Sequence, residues 1–570
     1  MITAAPTAPP RWARLLPGAW RLRRYDRSWL RGDLIGGLAV AAYLVPQVMA
    51  YSELAGLSAV QGLWAALGPL LLYAIFGSSK NLSVGPESTT ALMTAVAIAT
   101  VTAGNSALAA TAAAALAIAV GLVCVIGWLA RLGYVSDLLS KPVLTGYMAG
   151  IAVLMIVSQL GKITGLEVPS GSTFSELAYV ATHLGGIHYS TLILSSSVVI
   201  LLLVGRAVRA TWPWVLIIMV AAAVVVAVIG ADRLGLAVVG EVPRGLPVPT
   251  LPQVAALNLV EVMLAAVGIA AVGFTDNVLT ARAFAAREDP AINANSELLA
   301  LGAANVSAGL LQGFPVSSSG SRTAVIVSSG GRSQLAALTA LAVLVATLLF
   351  LGPLLATFPM AALGGVVVYA ATRLVDIAGF RRLAHFRISE LVLALATTFA
   401  VLAVDVLYGI AIAIGLSVLN LLRRIVRPHD AVLGFVPGLA GMHDVEDYPG
   451  TSQVPGLLVY RYDAPLFFAD ADNFRTRALL AIDEAAEPVR WFVLNAEANT
   501  EIDFTAADIL EELRAELVDR GIVLGLARVK FEVSADLKRV GLIDRIGPDM
   551  VFATLPTAVA AYRAWAAAHP

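Results

Sequence analysis

Two short polar stretches interrupt a very apolar chain, and they hold residues suited to binding an anion. One is Ser83-Val84-Gly85-Pro86-Glu87-Ser88-Thr89-Thr90, the other Gly313-Phe314-Pro315-Val316-Ser317-Ser318-Ser319-Gly320-Ser321-Arg322. Each is small, polar and marked by proline, yet each runs into an apolar segment. A bilayer admits such irregular backbone only where it is buried in protein or lines a cavity. A matching pair in the two halves of a chain points to a transporter whose two half-helices face each other at mid-membrane. Pro86 suits a first helical turn, where its missing N–H costs nothing, and Ser83 is a candidate cap. The N–H groups of Glu87, Ser88 and Thr89 then point into a cavity, where the positive end of the helix dipole favours an anion. Pro315 and the run Ser319-Gly320-Ser321-Arg322 repeat the idea. The Arg322 guanidinium suits bidentate oxyanion recognition; the alternatives are snorkelling to a membrane face or pairing with an acid.

Three further groups lie on apolar segments. Gln47 and Tyr51 are four residues apart and share one helical face, as anion donors or as hydrogen-bonding glue between helices. Asp276, with Thr280 one turn on, lies in another apolar run. An intramembrane carboxylate is costly unless paired or protonated, so Asp276 is a site for a proton or, with Thr280, for sodium; a static Asp–Arg pair is the plainer reading. Glu53 is expected towards an aqueous helix end, Glu87 beside water or an interhelical donor, and Asp405 in a structural role at a turn. The single cysteine, Cys124, sits in an apolar run and reads as a small filler. No catalytic constellation, phosphate-binding glycine loop or metal-ligand cluster is visible, so neither an enzyme nor a cofactor is expected.

These residues need a membrane scaffold, and the composition supplies one. Of 570 residues, 58% are hydrophobic and 14% charged, against roughly 25% charged in soluble proteins. Apolar segments fall at about 34–56, 59–76, 86–102, 106–130, 138–160, 189–208 and 211–230, then at about 256–284, 294–312, 315–330, 334–357, 359–373, 388–404 and 406–423. Spanning takes about 20 apolar residues, fewer where a helix is broken. Seven plus seven segments make an inverted repeat, since an odd first set forces the second to begin from the opposite face. The third segment of each set carries a broken stretch, and the Pro/Gly-rich run 231–255 joins the halves. The basic segment 1–32 holds Arg11, Arg14, Arg21, Arg23, Arg24, Arg27 and Arg31, while Arg423, Arg424 and Arg427 close the last segment. The positive-inside rule places both ends in the cytoplasm, and no signal peptide is visible.

The expected organisation is a transport domain over 33–427 (repeats of about 33–230 and 256–427), a linker over 428–455 and a soluble domain over 456–570. Of 39 acidic residues, 21 lie after Ala440. Strands at 456–462, 491–495 and 522–527 alternate with helices, one over Thr505 to Arg520, which indicates a small α/β domain.

The chain resembles the sulfate permease (SulP) family of anion transporters over nearly its whole length. The residues that carry this are Pro46-Gln47-Val48-Met49-Ala50-Tyr51 with Ala55-Gly56-Leu57, where the family usually has Gly at the Val48 position, together with Ser83-Val84-Gly85-Pro86 and Ser321-Arg322. The C-terminal part resembles a STAS domain. The resemblance implies fourteen spans in two inverted repeats, divided into core and gate domains, in a homodimer in the cell membrane. It implies that Gln47, Tyr51, Ser319 and Arg322 contact the anion with backbone groups of the two half-helices. Asp276 stands where sulfate-carrying relatives have a proton-coupling carboxylate, and with Thr280 it also matches a sodium-site pair of bicarbonate-carrying relatives. The expectation is proton-coupled sulfate uptake, with sodium-coupled bicarbonate transport, proton-coupled dicarboxylate transport, or an uncoupled anion exchanger or channel as alternatives. Ile502-Asp503-Phe504-Thr505 resembles the STAS loop that carries a phosphorylated serine in related antagonists. Thr505 is therefore a candidate phosphosite or helix cap, and a cytoplasmic regulatory partner is implied; no nucleic acid is.

Overall fold

The computed structural model describes residues 12, 15–137, 140–169, 172–209, 212–240, 242–243, 245–285, 291–404, 406–448 and 450–569. The chain divides into two units, Met1–Ser417 and Val418–Pro570. Each of the fourteen expected segments contains a helix. The first set is α1 (Leu30–Leu54), α2 (Ala59–Phe76), α3 (Ser88–Val101), α4 (Ala109–Leu129), α5 (Lys141–Ser158), α6 (Tyr189–Val208) and α7 (Trp214–Ile229). The second set is α8 (Leu259–Ala283), α9 (Ala294–Leu310), α10 (Gly320–Ser328), α11 (Leu335–Phe350), α12 (Met360–Thr372), α13 (Ile388–Ala403) and α14 (Val406–Val426), the last running across the division. Among the described residues seven helices are long and apolar enough to cross a membrane, and four shorter ones are apolar. Their starts follow local sequence: a Ser58–Gln61 capping box opens α2, and Asn258 and Asn293 cap α8 and α9.

The packing repeats itself with the two halves exchanged. Helix α1 packs on α10 and α11 as α8 packs on α3 and α4; α2 meets α11 as α9 meets α4; α5 lies on α13 as α12 lies on α6. Small residues permit the closest of these approaches. A Cβ on Gly302 of α9 would stand 2.8 Å from Val125 Cγ2 and 3.0 Å from the Gly121 carbonyl of α4. A larger residue there would force the two helices apart. Two dipeptide strands, β1 (Val84–Gly85) and β2 (Ser317–Ser318), pair antiparallel inside this bundle.

The second unit is a six-stranded sheet of β3 (Asp430–Phe435), β4 (Met442–Asp444), β5 (Leu457–Tyr462), β6 (Trp491–Asn495), β7 (Val523–Ala527) and β8 (Val551–Phe552), in the order β4-β3-β5-β6-β7-β8. Strands β5 to β8 are parallel and β3 is antiparallel to both neighbours. Alternation along the strands divides the core in two. Leu458, Tyr460, Phe492 and Leu494 pack with residues of α15 (Ala471–Asp483), α16 (Phe504–Asp519) and α17 (Phe531–Arg539), while Val459, Trp491 and Val493 pack with α18 (Leu555–Ala568). The stretch 428–455, expected as a linker, instead supplies β3 and β4. Its apolar alternation is too short to stand out in sequence; β3 is held between β5 and β4, and β4 pairs with β3.

Candidate anion-binding site

The two broken stretches meet. Val84 pairs with Ser318 and Gly85 with Ser317, and the Ser319 amide donates to the Ser83 carbonyl at 2.9 Å. The strands are short because Pro86 and Pro315 flank them and proline has no N–H to extend a ladder. Backbone held in so dry a place needs partners, and side chains provide them. Gln334 Nε2 donates to the Ser79 and Leu82 carbonyls at 3.2 and 3.0 Å. Asn305 accepts from the Val316 amide at 2.9 Å and donates to its carbonyl at 3.0 Å. The Ser83 amide donates to Thr323 Oγ1 at 3.0 Å. Helices α3 and α10 thus begin on either side of a fixed strand crossing.

The caps differ from expectation. Neither Ser83 nor Pro86 opens α3; Glu87 is the cap, its carboxylate accepting from the Thr89 amide at 2.7 Å and from the Ser88 hydroxyl. Pro86 stays outside the helix, and Ser83 Oγ accepts from Arg322 Nε at 3.2 Å instead. Glu87 therefore brings a carboxylate to the very amides expected to hold an anion, because the longer side chain folds back onto its own first turn. At α10 the cap is Ser319, whose hydroxyl accepts from the Arg322 amide at 3.4 Å and lies 3.2 Å from Ser321 Oγ. The first-turn amides of Ser88, Thr90, Gly320 and Ser321 have no acceptor among the described residues.

Arg322 is completely buried. Besides Ser83, its Nη1 donates to the Pro86 carbonyl at 2.8 Å and to Gln47 Oε1 at 3.4 Å. Its Nη2 has no protein partner among the described residues and faces Gly85, where a Cβ would stand 3.4 Å away. Leaving a buried charged donor unsatisfied costs about 1–3 kcal/mol or more, so this nitrogen is where a ligand oxygen would stabilise the structure. Gln47 Nε2 donates in turn to the Tyr51 hydroxyl at 2.8 Å, so the expected pair on α1 is joined into one chain with the guanidinium. Arg322 is neither snorkelled nor paired with Asp276. The Asp276 carboxylate, half-buried on α8, accepts from Ser318 Oγ at 2.8 Å. Thr280 lies one turn on, its methyl 3.9 Å from where a Cβ on Gly320 would be.

Sequence reasoning missed two buried acids. Glu297, in the first turn of α9, accepts from the Tyr73 hydroxyl (2.8 Å), the Ser78 amide (2.8 Å), the Ser78 hydroxyl (2.6 Å) and Asn277 Nδ2 (2.6 Å). Asp33 accepts from the Arg332 amide (2.7 Å), the Ser333 amide (3.1 Å) and hydroxyl (2.6 Å) and Tyr25 (3.0 Å), tying α1 to the turn after α10. Each stands in the first turn of its helix, where an acid looks ordinary. Glu53 pairs with Lys162 at 3.1 Å. In the second unit Asp503, not Thr505, caps α16, accepting from the Ala506 amide at 2.8 Å; Thr505 is exposed in the first turn. Asp405, Arg11 and Arg14 lie outside the described residues.

An inverted bundle around two crossed, broken helices with a buried cation defines a multi-pass membrane protein of the transporter class. The pattern of the sulfate permease family matches residues 30–397 and that of the STAS domain residues 448–558. A probable sulfate transporter of Mycobacterium tuberculosis is 55% identical over 97% of this chain and 98% of its own length. Sulfate transporter 1.3 of Arabidopsis thaliana is 29% identical over 94% of this chain and 85% of its own. Among solved structures, the murine Slc26a9 anion transporter in its inward-facing state aligns with a TM-score of 0.89 at 21% identity, covering 99% of this chain and 96% of that one. The transmembrane domain of the cyanobacterial bicarbonate transporter BicA aligns at 0.61 and 24% identity, covering 69% and 98%. The chain belongs to the sulfate permease family.

Proposed function

We propose that this protein takes up sulfate together with protons, by alternating access, through the site around Arg322. The observation that carries this reading is the buried guanidinium, one nitrogen of which has no partner among the described residues, together with the first-turn amides of α3 and α10 that likewise have none. Sulfate offers four oxygens to such a set, and free first-turn amides are ordinary donors to an anion. The names of the mycobacterial and plant relatives support sulfate as the substrate.

Charge supplies the reason for coupling. With Arg322, Glu87 and Asp276 all ionised, the site sums to one negative charge, which opposes a divalent anion. A cation taken up at Asp276 removes one of those negatives. Because Asp276 shares a hydrogen bond with Ser318 on β2, its state bears directly on the strand beside the anion. Sodium is a second reading, favoured by the oxygens that Asp276 and Ser318 bring together. Sulfate uptake into proteoliposomes under imposed proton or sodium gradients tests both. Uptake driven by the proton gradient is expected. Uptake indifferent to both gradients, or absent while bicarbonate is carried, overturns the proposal.

A further inference from the structure

Glu297 touches neither the guanidinium nor Asp276, yet it holds together the elements that carry them. Its side chain is completely buried. One oxygen, Oε1, accepts from the amide and hydroxyl of Ser78, which begins the segment leading into β1. The other, Oε2, accepts from Tyr73 near the end of α2 and from Asn277, the neighbour of Asp276 on α8. Four donors around two oxygens fill a carboxylate, an acceptor-only group when ionised. Two turns further along α9, Asn305 grips Val316, the residue before β2, through both its backbone groups. One helix therefore carries fastenings for both broken segments, and at its Glu297 end for the Asp276 helix as well.

We infer that Glu297 is the positioning residue that links the coupling-ion helix to the anion site. Its carboxylate fixes the spacing between Asn277 and Ser78, so a shift of α8 when Asp276 gains or loses a cation is passed to β1. The link has two ends: Ser78 on the anion side and Asn277 on the cation side. An ordinary core polar group would stabilise the bundle without joining these two responses. This inference rests on the transport reading given above, and deepens it.

The test uses the full-length protein in proteoliposomes, with hydrogen–deuterium exchange as a second readout that does not depend on flux. Glu297→Gln keeps the volume but loses acceptor capacity. Its sulfate KM should rise about tenfold with kcat within about threefold, its half-activating proton (or sodium) concentration should rise by a similar factor, and exchange should quicken across 79–86 and 273–280. Ser78→Ala and Asn277→Ala each cut one end of the link, so each should raise the sulfate KM and weaken cation activation together. A folded Glu297→Gln protein with unchanged KM, cation activation and exchange overturns the inference. Should that variant fail to fold, the two single-end variants decide: if both constants move together in each the link stands, and if each moves only its own constant, or neither moves any, the link does not exist. Should the wild-type protein take up no sulfate, the transport reading falls by itself. Exchange still decides the positioning role in that case: a proton- or sodium-dependent change across 79–86 that is present in the wild type and lost in Glu297→Gln supports it, and its absence from the wild type or persistence in the variant overturns it.

Discussion

The first broken segment ends in an acidic cap, Glu87, and the second in a hydroxyl cap, Ser319, followed by Arg322. Their backbones are near copies: a dipeptide strand, a cap and the start of a short helix, crossing at Val84–Ser318 and Gly85–Ser317. Their chemistry is opposite. At α3 the carboxylate occupies one of its own helix's amides, while α10 adds a fixed positive charge and keeps Gly320 and Ser321 amides open. Repetition thus supplies the frame, and the departure from repetition gives the site its polarity.

The sharpest way to break this contrast is to remove the positive charge. Arg322→Ala should reduce sulfate uptake more than about a hundredfold, with the folded protein retained as judged by size-exclusion elution. Wild-type uptake in that variant would remove the guanidinium from the site. Next in size is Asp276→Asn, which keeps a partner for Ser318 but cannot take up a cation. Its uptake should fall about tenfold and lose its response to an imposed gradient, and a preserved response would leave Asp276 a structural residue.

Glu87→Gln sharpens the comparison by making the first cap neutral like the second. The sulfate KM should fall about threefold, since a nearby negative charge is gone, while loss of the charged cap should cost about 1 kcal/mol of stability. A raised KM would mean that the carboxylate helps to hold the anion site in shape. The smallest effect is expected from a half-buried surface ion pair in the second unit. Arg514, donating to Glu511 at 2.8 Å, holds that carboxyl below its usual range. The pair's contribution is full at neutral pH and is lost as pH falls through the lowered value. Glu511→Gln should therefore cost less than about 1 kcal/mol at pH 7 and nothing once the wild-type carboxyl is protonated, measured by denaturation of the full-length protein across pH.

What could be read in advance follows the range of the forces involved. Helix-bearing segments, the two broken stretches and the alternating strands of the second unit depend on residues a few positions apart, and all were legible. Gln47 and Tyr51 were legible as a pair because four residues make one helical turn. That Gln47 reaches Arg322 was not, since the two are 275 positions apart. Strands β3 and β4 are not legible because each is short and weakly apolar, and β3 is fixed in the sheet by β5 further along the chain. Residue type alone admits Thr505 and Ser83 as caps, but Asp503 and Glu87, equally capable acceptors, have the right backbone.

By itself the sequence determined that this chain is a membrane repeat with two irregular stretches and a cation at the second. Lipid tolerates so few backbone forms that composition and proline placement leave little choice. Only the tertiary structure decided which acceptor each buried donor meets. Glu297 draws on Tyr73 and Ser78 from 224 and 219 positions away, and no local pattern encodes such a meeting. Burial makes every unmatched polar group expensive, so the fold that matches the most of them fixes which residues serve the site.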